Sequence, residues 1–416
     1  MKILKRMLKQ EKGAITMTVL AAMLFITTVL VISYFSIFNL GSNQNKKIQQ
    51  ISKQYSVTDG ELEERYNQLL RELDNTTFIQ INDIKSLGNI MLSKKTNTET
   101  VDTDGNRLVI PGGFKLTNEE NTDKVEEGLV IQDKDGNEFV WIPVGIPWET
   151  DSSKTIELAR YEFKKADDET AGTIVQTKTD GSALNLPGYS ENFTEEGTRE
   201  TETKNAVAKN INDFIAKTNA AGGFWIGRYE ARVEGYTGSV ATSNLEGKTS
   251  WTGYTNGKLV EKPGAQVFNY ITQNKASELS KTMYTSDYFE SDLINSYAWD
   301  TATLFLQEYD NRTDAVKGNS NYKAKYSNQI RLSLEIKNTG TNNLSVEANK
   351  DKICNVYDMA DNCLEWTTET ASYGSYPCVL RGGYYYDSRT LTSYRGSNYT
   401  TVADGYRSFR PVLYIK

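Results

Sequence analysis

Residues 14–40 run for 27 positions without one charged side chain, and no other feature constrains the chain as strongly. At about 1.5 Å of rise per residue, a helix of that length spans the roughly 30 Å hydrocarbon core of a bilayer. The run is too long for the apolar region of a secretory signal, and soluble helices seldom extend so far without a charge. Lys2, Lys5, Arg6, Lys9 and Lys12 precede it against Glu11 alone. A basic flank of this kind stays in the cytoplasm. The expectation is a single-pass cell-membrane protein: a basic leader over 1–13, a transmembrane helix over 14–40, and everything after it outside.

Composition removes whole classes of chemistry. The 416 residues contain no histidine, which excludes Ser-His-Asp and Cys-His catalysis and any His-ligated metal. Lys and Arg number 47 against 54 Asp and Glu, a net charge of -7. With no long basic patch after the leader, no nucleic-acid partner is expected. No Gly-rich loop suited to a phosphate is present, and no motif selects two carboxylates for glycoside chemistry.

Beyond the apolar run the chain changes character twice. Residues 43–74 are polar, with Ile48, Ile51, Tyr55, Leu62, Tyr66, Leu69 and Leu70 at helical spacing and a break near Asp59-Gly60, which reads as a helical stalk. Residues 75–106 read as a loosely ordered connection, so that 41–107 together form stalk and linker. From 108 onward, short β-type runs alternate with turn residues. Residues 128–132 and 138–144 flank Asp135-Gly136-Asn137 as a hairpin. Residues 151–205 are polar and read as an insertion. Helices are expected over 206–218, 276–283 and 298–309, and a strand over 222–230. No internal repeat is evident, and the irregular mixture argues for an α+β fold.

Two resemblances follow from motifs. Residues 11–16, Glu-Lys-Gly-Ala-Ile-Thr, resemble a type IV prepilin leader, which implies a processing site between Gly13 and Ala14; Thr18 stands where such leaders carry Glu. Farther on come Phe139-Val140-Trp141-Ile142-Pro143-Val144-Gly145, Phe224-Trp225-Ile226-Gly227-Arg228-Tyr229-Glu230, residues 263–269, Trp299-Asp300, residues 356–367 with Asn362, Glu365 and Trp366, then Arg381-Gly382-Gly383 and Phe409-Arg410. In this order they resemble the formylglycine-generating, or sulfatase-modifying-factor, domain over residues 108–416. The resemblance implies a C-type-lectin-like fold, shared with the variable proteins of diversity-generating retroelements. It also implies that a buried Glu365 bonds backbone amides or Arg381.

Enzymes of that family hold copper on two cysteines between the Arg-Gly-Gly strand and the closing Phe-Arg. Here Cys354, Cys363 and Cys378 all precede Arg381. No enzymatic activity and no cofactor are therefore expected, and a disulfide between two of the three is the expectation outside the cell. The Asp/Asn-rich runs 133–137 and 358–362 suit either turns or a structural calcium ion, which takes oxygen ligands from loops.

Residues 384–416 hold seven of the chain's 25 tyrosines. Tyr set among Ser, Gly and Asn is the composition of binding loops, where it offers large amphipathic area with few rotors. The expected ligand face comprises Tyr384, Tyr385, Tyr386, Asp387, Ser388, Thr390, Ser393, Tyr394, Ser397, Asn398 and Tyr399. The function expected is recognition of a surface ligand, protein or glycan, by an adhesin-like protein. The alternatives are an oxidase acting on cysteine of a partner protein, and a pilin-like subunit packing with other pilus subunits.

Overall fold

The computed structural model describes residues 59–119, 122–144, 189–190, 206–208, 211–236, 254, 256–309, 352–359, 362–371, 376–384, 392 and 394–416. Among these, no helix is long and apolar enough to cross a membrane. The expected span at 14–40 and the processing site at Gly13 and Ala14 lie outside them.

The described residues begin with helices α1 (Asp59–Asp74) and α2 (Ile81–Leu87) and a 3₁₀ segment (Gly88–Ser93). Strands β1 (Thr98–Val101), β2 (Arg107–Ile110), β3 (Phe114–Leu116), β4 (Val130–Asp133), β5 (Glu138–Pro143) and β6 (Tyr189–Ser190) follow. Next come α3 (Ile211–Thr218), β7 (Gly223–Gly227), β8 (Arg232–Glu234), β9 (Lys258–Val260), β10 (Gln266–Val267), α4 (Gln273–Thr282), β11 (Phe289–Leu293) and α5 (Ser296–Tyr309). The last part holds β12 (Lys352–Ile353), β13 (Val356–Tyr357), β14 (Leu364–Ala371), β15 (Cys378–Arg381), β16 (Arg395–Asn398), β17 (Arg407–Phe409) and β18 (Pro411–Ile415). The fold is α+β, as the irregular element order predicts.

Its main body is an antiparallel sheet in the order β11-β18-β7-β5-β4-β3. The continuous apolar runs of β5, β7 and β18 are buried on both faces, as short runs without alternation should be. Trp141 and Trp225 are register partners across β5 and β7 with ring centroids 4.9 Å apart. Their packing leaves no room at Gly223, where a Cβ would sit 2.4 Å from the Trp141 ring. A smaller sheet runs β16-β15-β14-β17, with β14 and β17 parallel and β6 added on β14. Its own apolar cluster holds Phe268, Ile271, Trp366, Leu380 and Phe409.

Several sequence expectations need correction. Residues 75–106 are ordered, with Ile79, Ile81, Ile84, Leu87, Ile90 and Met91 buried in the same core as β5 and β7. Their polar neighbours gave the stretch a loop-like composition, yet the apolar spacing is helical. The end of α1 packs there too, through Leu69, Leu70 and Leu73, so packing does not break at residue 108. The helix expected over 206–218 is described only from Ile211. A repeat is present after all: Asp-x-Asp-Gly-Asn occurs at 102–106 and at 133–137. In each copy the first Asp accepts backbone N–H groups two and four residues on, and the Asn side-chain amide at 3.0 or 2.7 Å. That Asx-type turn closes both hairpins, β1-β2 and β4-β5.

No disulfide joins Cys354, Cys363 and Cys378, all of them buried. The Cys354 thiol donates to the Tyr309 carbonyl at 3.0 Å. Pairing is a matter of geometry, which cysteine count alone does not give. Accordingly, excess reductant should leave the melting midpoint of the purified chain unchanged. A fall of several degrees, the scale set by losing a native disulfide, would reveal a bridge.

Candidate functional site

The later motif residues, on β14, β15 and β17, lie in the smaller sheet, while those of β5 and β7 lie in the large one. Trp366, on β14, is fully buried, and its indole N–H donates to the Ile271 carbonyl at 2.8 Å. Next to it, Glu365 accepts from Arg410 in a two-pronged pair, Nε to Oε2 at 3.0 Å and NH2 to Oε1 at 2.6 Å. The expectation of an Arg381 partner for Glu365 is thus overturned. Register alone would have allowed the expected pair, since Glu365 and Arg381 are direct partners across β14 and β15. Instead Arg410, just before β18, takes the carboxylate and also reaches the Gly227 and Tyr357 carbonyls at 2.8 Å each, while Arg381 donates to Asp300. Burial pushes the Glu365 carboxyl up, to about 7, against the pull of Arg410.

Asn362 takes a left-handed backbone, φ 64°, which Asn tolerates better than most residues. That turn brings its side-chain amide and the Cys363 N–H onto the two oxygens of buried Glu230. Burial, with Asp358 and Glu365 alongside, holds Glu230 well above the usual carboxylate range. Burial likewise pushes the Cys363 thiol up, and Glu230 adds to it. These buried groups lock loops to sheets.

Arg381 belongs to a second buried network. Its guanidinium donates to Asp300, stacks on the Trp299 ring at 5.8 Å, and gives Nε–H to the Tyr394 carbonyl at 3.0 Å. Arg395 completes it with Glu369 at 2.9 Å and Asp300 at 3.2 Å. Burial works against the charge on Arg395, and Glu369 with Asp300 more than offset it, so the guanidinium titrates above its ordinary value. Gly382 follows in a left-handed conformation, φ 80°, where a Cβ would meet the Met359 carbonyl at 2.8 Å and Trp299 at 3.2 Å. Gly383 is buried beside it.

Above this network lies β16, an edge strand of the smaller sheet, with Ser397 and Asn398 half-buried. Tyr394 is 41% exposed and rests on Gly396, where a Cβ would come within 2.8 Å of the ring. Tyr399 is half-buried and its ring lies 4.4 Å from Tyr376, itself 42% exposed, with their hydroxyls 3.0 Å apart. Tyr384 turns inward, half-buried and stacked 5.1 Å from Tyr406. Tyr385, Tyr386, Asp387, Ser388, Thr390 and Ser393 lie outside the described residues. Asp300, Glu369, Arg395 and Tyr376 escaped the site reading. Only Asp300 had a sequence signal, its place in the Trp-Asp motif.

Among the described residues, no group of three or more Cys, Asp and Glu side chains is arranged to hold a metal ion. The run 133–137 is the Asx turn already described, with the Tyr284 hydroxyl donating to Asp133 at 2.7 Å as well.

No family model matches the chain, and no curated protein matches it. Among solved structures it is similar to the crystal structure of CarF, at 17% identity over 57% of this chain and 79% of that one, with a TM-score of 0.22. A likeness at that level carries no argument about fold or function.

Proposed function

We propose that the chain is a surface-displayed recognition protein, anchored by residues 14–40, whose C-terminal region from 108 onward is C-type-lectin-like and binds its ligand without chemistry. The observation that supports this best is the pairing of a tyrosine-bearing edge strand with a rigid buried base. Tyr394, Tyr376 and Tyr399 present aromatic area beside small polar residues, and loops or edges on a fixed scaffold are where recognition is concentrated. The interior position of β18 in the large sheet and the packing of Phe268 and Phe409 in one cluster with Trp366 accord with a lectin-like scaffold. A thiol oxidase would need a reactive thiolate, whereas all three cysteines are buried and Cys363 is pushed away from ionisation.

The test uses the full chain against immobilised glycans and extracellular-matrix proteins. Replacing Tyr394 and Tyr399 together by Ala should lower binding at least tenfold, the scale of losing tyrosine anchors, with the melting midpoint moved by less than about 3 °C. Failure to bind anything on the panel, or a large loss of stability with binding per folded molecule unchanged, sinks the reading.

A further inference from the structure

Thr392, Tyr394 and Arg395 are fastened to the start of α5 and to β14 by three separate side chains. The Trp299 indole N–H donates to the Thr392 carbonyl at 2.9 Å. Arg381, itself stacked on Trp299 and paired with Asp300, donates to the Tyr394 carbonyl at 3.0 Å. Arg395 bridges Asp300 and Glu369. The side chains of Asp300, Glu369 and Arg381 are fully buried, and that of Arg395 is 12% exposed. The turn holding Asp300 is fixed in its own right, because the Asn295 side chain accepts the Ala298 N–H at 2.8 Å.

Two acids face two guanidiniums, so the group is charge-balanced. Buried ion pairs of this kind add little net stability over apolar replacements, and their value lies in geometry. A planar guanidinium serves two carboxylates in one fixed orientation, which a lysine ammonium does not. Every anchor in the cluster acts on one short stretch of backbone, and that stretch leads into the edge strand bearing Tyr394, Ser397 and Asn398.

We infer that Asp300, Glu369, Arg381 and Arg395 are positioning residues: they clamp the start of β16 to helix α5 and so fix the backbone on which the proposed ligand face is displayed. Their pairing with β15, from Arg381↔Arg395 to Cys378↔Asn398, sets the register of the strand, and the clamp holds the end that β15 alone would leave to fray. Side chains at 394 and 397–399 can then vary without loosening the strand. This rests on the reading of the Tyr394–Tyr399 stretch as a binding face, but its test needs no ligand, so the two fail separately.

The test is amide hydrogen exchange on the full chain. The double variant E369Q/R395M keeps Asp300 and Arg381 as a balanced pair while removing the bridge. Exchange across 394–398 should become at least tenfold faster, with the amides of β5, β7 and β18 unchanged. R395K, which keeps the charge and loses the fork, should give the same local release. Unchanged exchange at 394–398 in both variants would show that β15 pairing alone holds the strand, overturning the inference. Acceleration throughout the large sheet would make the cluster a general core element and overturn it equally.

Discussion

Glu365→Ala should lower the free energy of unfolding by about 3–5 kcal/mol, because it strands the Arg410 guanidinium in the protein interior. Both side chains are wholly buried, and Arg410 cannot shed its charge. Replacing both partners, as in E365L/R410M, should recover part of that loss, since an apolar pair removes the two desolvation costs together while the Gly227 and Tyr357 carbonyls lose their Arg410 donor. Urea denaturation of E365L, R410M and the double variant gives the coupling directly. A single-variant loss below about 1 kcal/mol would mean that water reaches the pair, and the buried arrangement around Glu230, Glu365 and Arg410 would have to be abandoned.

Gly128→Ala is the second severe change. Gly128 has φ 82°, and a Cβ there would lie 1.7 Å from the Cys354 carbonyl oxygen and 2.2 Å from its carbon. Both are backbone atoms, and Asn355 fixes that approach by donating to the Gly128 carbonyl at 2.8 Å, so neither side can yield cheaply. Gly136 supplies the control, with nearly the same φ of 88° but nothing nearer than a lysine methylene at 3.8 Å. Gly136→Ala should cost about 1–2 kcal/mol, the strain of a left-handed alanine, whereas Gly128→Ala should exceed it by several-fold or prevent accumulation of folded protein. Equal melting midpoints for the two variants would contradict the contact with Cys354.

The contrast between these glycines illustrates what a sequence conceals. Both sit in turn-rich surroundings, and only the fold shows which one carries a second backbone against it. Strand runs such as residues 138–143 and 223–227 were legible because continuous apolar stretches bounded by turn residues have few alternatives. Helices α4 and α5 were legible through periodicity and were placed within three residues of their starts. The α2 region was missed because Asn, Asp, Thr and Lys between its isoleucines mimic a linker. At the candidate site, Glu365 and Arg381 were visible as special residues, but the partner expected for Glu365 was backbone amides or Arg381 and not Arg410. Which carboxylate meets which guanidinium depends on the crossing of β14, β15 and β18, a long-range fact. Arg395 looked like one polar residue in a polar stretch, and nothing local distinguishes it from a solvated side chain.

The placement of β18 bears on how the molecule is made. Residues 411–415 lie between β7 and β11 in the interior of the large sheet, so the last described strand is also the one that joins β11 to the other four strands. Residues 223–227 and 289–293 leave the ribosome well before it and must wait, their facing edges open. Such late, distant pairing slows folding and leaves strand edges exposed to neighbouring chains. Chains halted short of residue 411 therefore cannot complete the sheet, however correct the rest of their sequence, and should be cleared or aggregate rather than persist as shorter folded forms.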